Sequence, residues 1–170
     1  MNWGDVRRRI RLIGAQTEFT EEHFHNRERW IGLRVPQTST EWADYATLSP
    51  FILTSGNDTW GGPTQLLGSA DTPHFTGYKW FDFHRALVVA NTQNSIYRLQ
   101  FIWSTVDAAT GISEGSFSEF MFIRDAASSQ RKIFETWSRK IAVGTKVWGR
   151  CWNATNLATV SLFCGLHEYD

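Results

Sequence analysis

The feature that most constrains this chain is alternation. In KIAVGTKVWGRCWNATNLATVSLF (140–163), large apolar and polar residues alternate, break at an Asn/Ala/Thr/Asn cluster, and alternate again. A period of two sends successive side chains to opposite faces of a strand. The pattern predicts a β-hairpin formed by 145–152 and 157–166. It places Val147 and Cys151 on one face of the first strand and Trp148, Arg150 and Trp152 on the other. Gly144 and Thr145 fit a tight turn leading into that strand, since glycine adopts turn conformations without a steric cost.

The same signal extends upstream to about residue 48. LSPFILT (48–54) and TQLLGS (64–69) read as short strands, separated by the turn cluster SGNDTWGGP (55–63). YKWFDFHRALVVA (78–90) and IYRLQFIWSTV (96–106) are long and rich in aromatic and branched residues, as strands are. FSEFMFIRD (117–125) is another. KIFETWSRKIAV (132–143) fits strand or helix, and its alternation favours strand. DTPHFTG (71–77) and AASSQR (126–131) read as connectors.

The N-terminal 47 residues read differently. Trp3, Val6, Ile10 and Ile13 form one helical stripe, with Arg7, Arg8, Arg9 and Arg11 mostly off it. Two readings stand: an amphipathic helix with a solvated basic face, or an arm docking on an acidic neighbouring subunit. Residues 17–31 predict a second helix, with Thr17 or Thr20 as N-cap, Glu18, Glu21 and Glu22 in the first turn, and Gly32 ending it. Residues 34–47 carry no clear period and read as loop, with a short helical turn at 41–46. The expected architecture is therefore an N-terminal helical segment (1–47) and a mainly β domain (48–170). With seven or eight strands and no βαβ rhythm, that domain is an antiparallel, jelly-roll-like β-sandwich.

Charge and cysteine narrow the function classes. Lys plus Arg and Asp plus Glu are 17 each, so no net charge draws the chain to nucleic acid or a membrane surface. Near-zero charge also does little to oppose self-association. MNWGDVRRRIRLIG has no apolar signal-peptide core, and no stretch approaches the length of an apolar membrane span. Asn57 and Asn153 fit the glycosylation pattern but read as ordinary turns. In the expected hairpin Cys151 faces roughly Thr159 and Cys164 roughly Lys146, which favours two buried free thiols over a disulfide.

Catalytic patterns are weak. His23 and His25 point apart on a helix, and His74, His84 and His167 are isolated in sequence, so no metal set or cofactor is expected. FDFHR (81–85) puts Asp82 and His84 on one strand face, but with heads about 6–7 Å apart and no nucleophile nearby. The pair reads as a structural polar pair, and no catalytic residue is expected. Glu114, Glu119 and Glu135 fit solvated strand faces or loops better than a glycosidase pair. SGNDTWGGP lacks the Lys-Ser/Thr ending of a phosphate loop.

What remains is tryptophan, nine in 170 residues. Trp60 sits in the Gly-rich loop. Trp148, Arg150 and Trp152 share one strand face, and Trp and Arg together are the composition of a protein–protein hot spot. Interface, sugar-stacking platform and the core of a further sheet are the three readings of that face.

The stretches TGYKWFDFHRALVVANTQNSIYRLQFIWST, GSFSEFMFIRD and IAVGTKVWGRCWNATNLATVSLFCGLHEYD carry a resemblance over about 75–170. They resemble small virion structural proteins of tailed phages and related environmental viruses. The resemblance implies a β-sandwich accessory protein in a virion: capsid decoration, turret, fibre base or tail component. The Trp-rich strands and near-zero charge point to symmetric self-association, most simply a trimer, and the resemblance implies capsid or tail proteins as further partners. A carbohydrate-binding or host-adhesion module, with a glycan as partner, is the alternative.

Overall fold

The computed structural model describes residues 28–32, 49–68, 77–123 and 132–170. The helical stripe at 3–13, most of the expected helix at 17–31 and the loop at 34–47 lie outside them. The described residues form eleven strands: β1 (Glu28–Ile31), β2 (Phe51–Thr54), β3 (Thr59–Trp60), β4 (Thr64–Leu67), β5 (Trp80–Asn91), β6 (Ile96–Ser104), β7 (Phe117–Ile123), β8 (Lys132–Glu135), β9 (Ile141–Ala142), β10 (Lys146–Asn153) and β11 (Thr159–Tyr169). One short helix, α1 (Ala108–Ser113), joins β6 to β7.

Every pairing between these strands is antiparallel, and they build two sheets. In the first, β11 and β5 lie side by side; β1 and β2 run end to end along the free edge of β11, and β8 and β9 along that of β5. In the second, β10 and β6 are central, β3 and β4 share the outer edge of β10, and β7 covers β6. The chain crosses from sheet to sheet after β2, β4, β5, β7, β9 and β10. That alternation, with four-strand-wide sheets, is the jelly-roll form of the antiparallel β-sandwich.

The sequence alternation explains the core. Phe81, Phe83, Leu162, Cys164 and Leu166 face inward from the first sheet, and Tyr97, Leu99, Phe101, Val147 and Cys151 from the second. Phe83 stacks on Phe101 across the sandwich at 4.7 Å, and Phe122 packs on Tyr97 and Phe134. The Tyr97 hydroxyl donates to the Thr159 carbonyl at 3.2 Å and accepts from the Gln93 N–H, so a buried polar atom is satisfied.

Four expectations need correction. Residues 145–152 and 157–166 are both strands, but they do not pair. β10 lies in one sheet and β11 in the other, since both edges of each strand are taken by other partners. The connection is a corner across the core, tied by Ser55, whose N–H donates to the Ala158 carbonyl and whose hydroxyl accepts from the Ala158 N–H. Cys151 and Cys164 consequently belong to opposite sheets, and both are buried and free. Second, residues 28–31 are strand, not helix, and they pair with β11, so the sandwich draws on chain before residue 48. Gly32 caps nothing there: a Cβ on it would fall 2.5 Å from the Ser49 carbonyl and 2.8 Å from the Phe163 ring. Third, the strand expected at 132–143 is broken. The Ser138 hydroxyl, in place of a ladder carbonyl, accepts the Phe83 N–H at 2.8 Å, so β8 stops at Glu135 and pairing resumes at Ile141. Fourth, α1 was not expected. Asp107 caps it, its carboxylate accepting from the Thr110 N–H at 2.8 Å. The turn at Gly144 does form, with φ +92° and the Thr145 N–H on the Ala142 carbonyl.

Candidate functional site

Outside the closed core, the described residues present the outer faces of the two sheets. On β10, Val147 and Cys151 are fully buried, while Trp148, Arg150 and Trp152 are half-buried and face out. Register then assembles the rest of that face. Trp152 lies opposite Trp60 on one side and Arg98 on the other; Arg98 in turn lies opposite Met121. Arg150 lies opposite Gln100, which lies opposite Glu119. Trp148 lies opposite Ile102.

Local chemistry holds the tryptophans in place. The Gly61 N–H donates to the Cys151 carbonyl at 2.9 Å, pinning the end of β3, which carries Trp60, to the edge of β10. Asn153 next to Trp152 is fully buried; its amide donates to the Ser95 hydroxyl and the Ile96 carbonyl, and its carbonyl accepts from the Thr155 N–H. Two guanidinium groups lie over the Trp60 ring, that of Arg150 at 4.8 Å and that of Arg98 at 5.3 Å; Arg98 is also 5.9 Å from the Trp152 ring. The two arginines are held differently. Arg98 is bound by the Glu119 carboxylate through both Nε and Nη2. Arg150 donates its Nε to the Gln100 side chain at 2.6 Å and meets no carboxylate among the described residues. Burial pulls the Arg150 pKa down, only partly countered by nearby Glu119. Trp60, Trp148, Arg150 and Trp152, the residues singled out from sequence, thus share one outer face, and three of them form a contiguous aromatic–cationic patch.

The outer face of the first sheet is unlike it. Asp82 and His84 are both nearly buried there, at 7% and 4% exposure. They do not stand alone as the pair read from sequence. The Tyr169 hydroxyl donates to Asp82 Oδ2 at 2.6 Å, and His167 Nδ1 lies 3.7 Å from Asp82 Oδ1. The His84 ring stacks on the His167 ring at 4.0 Å, with Trp137 edge-on to His84 and Tyr169 edge-on to His167. The Lys140 ammonium sits 4.0 Å from the Tyr169 ring. A bulge makes this possible. Leu166 pairs with Phe83 and Gly165 with Arg85, so β5 spends an extra residue, His84, against β11. His167 and Tyr169 were missed from sequence although both follow the alternation of β11; their register against Asp82 was not visible. Burial, and then Asp82, push the Tyr169 phenol far above its ordinary value.

The two cysteines lie in the core rather than on either face. Burial pushes the Cys151 thiol up to about 12 and the Cys164 thiol further, so both are neutral at pH 7. Among the described residues no three His, Cys, Asp or Glu side chains group as metal ligands, and no helix is long and apolar enough to cross a membrane.

No family model, curated protein or solved structure significantly matches this chain. The fold and its two outer faces define the class: an antiparallel jelly roll with one closed aromatic–imidazole face and one open aromatic–cationic face.

Proposed function

We propose that this protein is a non-enzymatic structural protein of a virion. It acts as a capsid decoration, turret or tail accessory that self-associates and seats on the particle surface. The observation that carries the reading is the convergence of Trp60, Trp148, Arg150 and Trp152 on one outer face, with Arg150 lacking a carboxylate partner among the described residues. Trp and Arg are the residues that dominate interface energetics, because they bury large areas and still satisfy polar contacts. The jelly roll is a fold that capsid proteins share with lectins, which supports the reading at the level of the scaffold alone.

The glycan alternative asks for an aromatic ring open to stack on a sugar. Two guanidinium groups already lie over Trp60, which favours a protein partner. The deciding experiment pairs solution mass with glycan-array binding. A mass of two or more copies of 19.5 kDa, three being the simplest ring, with no glycan bound, is the expected result. A monomer that binds glycans would replace this reading with the adhesion module.

A further inference from the structure

The open face is asymmetric across its strands. Cation and rings lie on the β3–β10 flank, as Arg150, Trp60 and Trp152; carboxylate and aliphatics lie on the β7 flank, as Glu119, Met121 and Ile123. Gln100 of β6 stands between Arg150 and Glu119 in register. Neighbouring strands are about 4.8 Å apart, so two strand spacings, roughly 10 Å, separate the two backbones, and Glu119 attracts Arg150 without pairing with it. Within the chain they make no ion pair. Both ends are left with capacity. Arg150 uses only Nε, on Gln100. Glu119 takes both of its Arg98 contacts on Oε1, which leaves Oε2. Met121 is 71% and Ile123 67% exposed on the same flank.

We propose that the β7 flank of one copy docks on the β3–β10 flank of the next, centred on an ion pair between Arg150 and Glu119 of the neighbouring copy. This rests on the self-association reading and names its contact. The terminal nitrogens of Arg150 form a planar fork that suits a carboxylate. The same approach lays Met121 and Ile123 beside the Trp152 ring, and thioether–aromatic contact is favourable. A surface carrying both halves of such a pair closes with copies of itself, as a dimer or a small ring. Arg150, held within the chain by Gln100 and the Trp60 ring, keeps its terminal nitrogens for a carboxylate of another copy.

The test is solution mass by light scattering at low salt for the unmodified chain, Arg150→Glu, Glu119→Gln and the swapped double variant Arg150→Glu/Glu119→Arg. Circular dichroism and thermal unfolding check the fold of each. The proposal expects an oligomer for the unmodified chain. Arg150→Glu should fall to 19.5 kDa. Glu119→Gln, which keeps the side-chain shape, should raise the dissociation constant about tenfold or more, the scale of a lost charge-assisted contact. The double variant should recover assembly. Single variants that keep the original mass, or a folded double variant that stays monomeric, overturn the pairing while leaving self-association standing. An unmodified chain that stays at 19.5 kDa at every concentration overturns both.

Discussion

The two outer faces of this sandwich use similar residues to opposite ends. On the first sheet, Asp82, His84, His167 and Tyr169 turn their polar atoms and rings toward one another, and the first three are less than 10% exposed. On the second, Arg98 and Arg150 lie over tryptophan rings at the surface, and among the described residues only Arg98 pairs with a carboxylate. One face spends its polar groups on holding the sheet together. The first is a largely buried cluster joined by the Tyr169–Asp82 hydrogen bond and by ring stacking, whereas Arg150 on the second meets no carboxylate among the described residues.

The largest effect that separates the faces is expected at Tyr169. Tyr169→Phe removes the donor to a nearly buried carboxyl, and should cost about 1.5–3 kcal/mol in urea unfolding, the range for a hydrogen bond to a charged group. Its mass in solution should not change. Trp152→Ala should do the reverse: it loses a contact with Arg98, costs about 1 kcal/mol or less, and lowers the mass. Equal stability losses at the two positions would erase the distinction between the faces.

Alkaline pH acts next. Cys151, Cys164 and Tyr169 are all raised by burial in the folded chain. The unfolded chain therefore loses these protons first, and stability must fall as pH rises. For Cys151 the loss begins near its unfolded value of 9.0 and runs to about 12. Urea midpoints measured from pH 8 upward should decline over that window, and less so in Cys151→Ala; a flat profile would contradict the burial of these groups. For the same reason, neither thiol should react with a labelling reagent at pH 8 until urea is added.

The smallest effect is expected on the open face. Arg98→Ala breaks an exposed ion pair with Glu119 and should change stability by less than about 1 kcal/mol. A larger loss would mean that this face, too, is built for stability.

Alternation was enough to locate most strands, because a half-buried strand writes its two faces directly into the sequence. It put Val147 and Cys151 on one face and Trp148, Arg150 and Trp152 on the other, and packing made the first the core face. Pairing was not legible. The alternation of 157–166 is the same whether it pairs with 145–152 or crosses to the other sheet, and the second sheet's edges decided it. Asp82 and His84 were visible as a local pair, but His167 and Tyr169 meet them only through the β5–β11 register, 85 or so positions away in sequence. Residues 28–31 looked helical because Thr, Glu and Gly signals are local, while β11 imposed a strand by long-range pairing. Asp107 before Ala108 was a legible cap that marks the start of α1.

The most direct measurement is the solution mass of the unmodified chain beside that of Trp148→Ala/Trp152→Ala. The account predicts an oligomer that falls to 19.5 kDa in the double variant while circular dichroism stays that of a folded β protein. An unmodified chain that is already a monomer, or a double variant whose mass does not change, would contradict it.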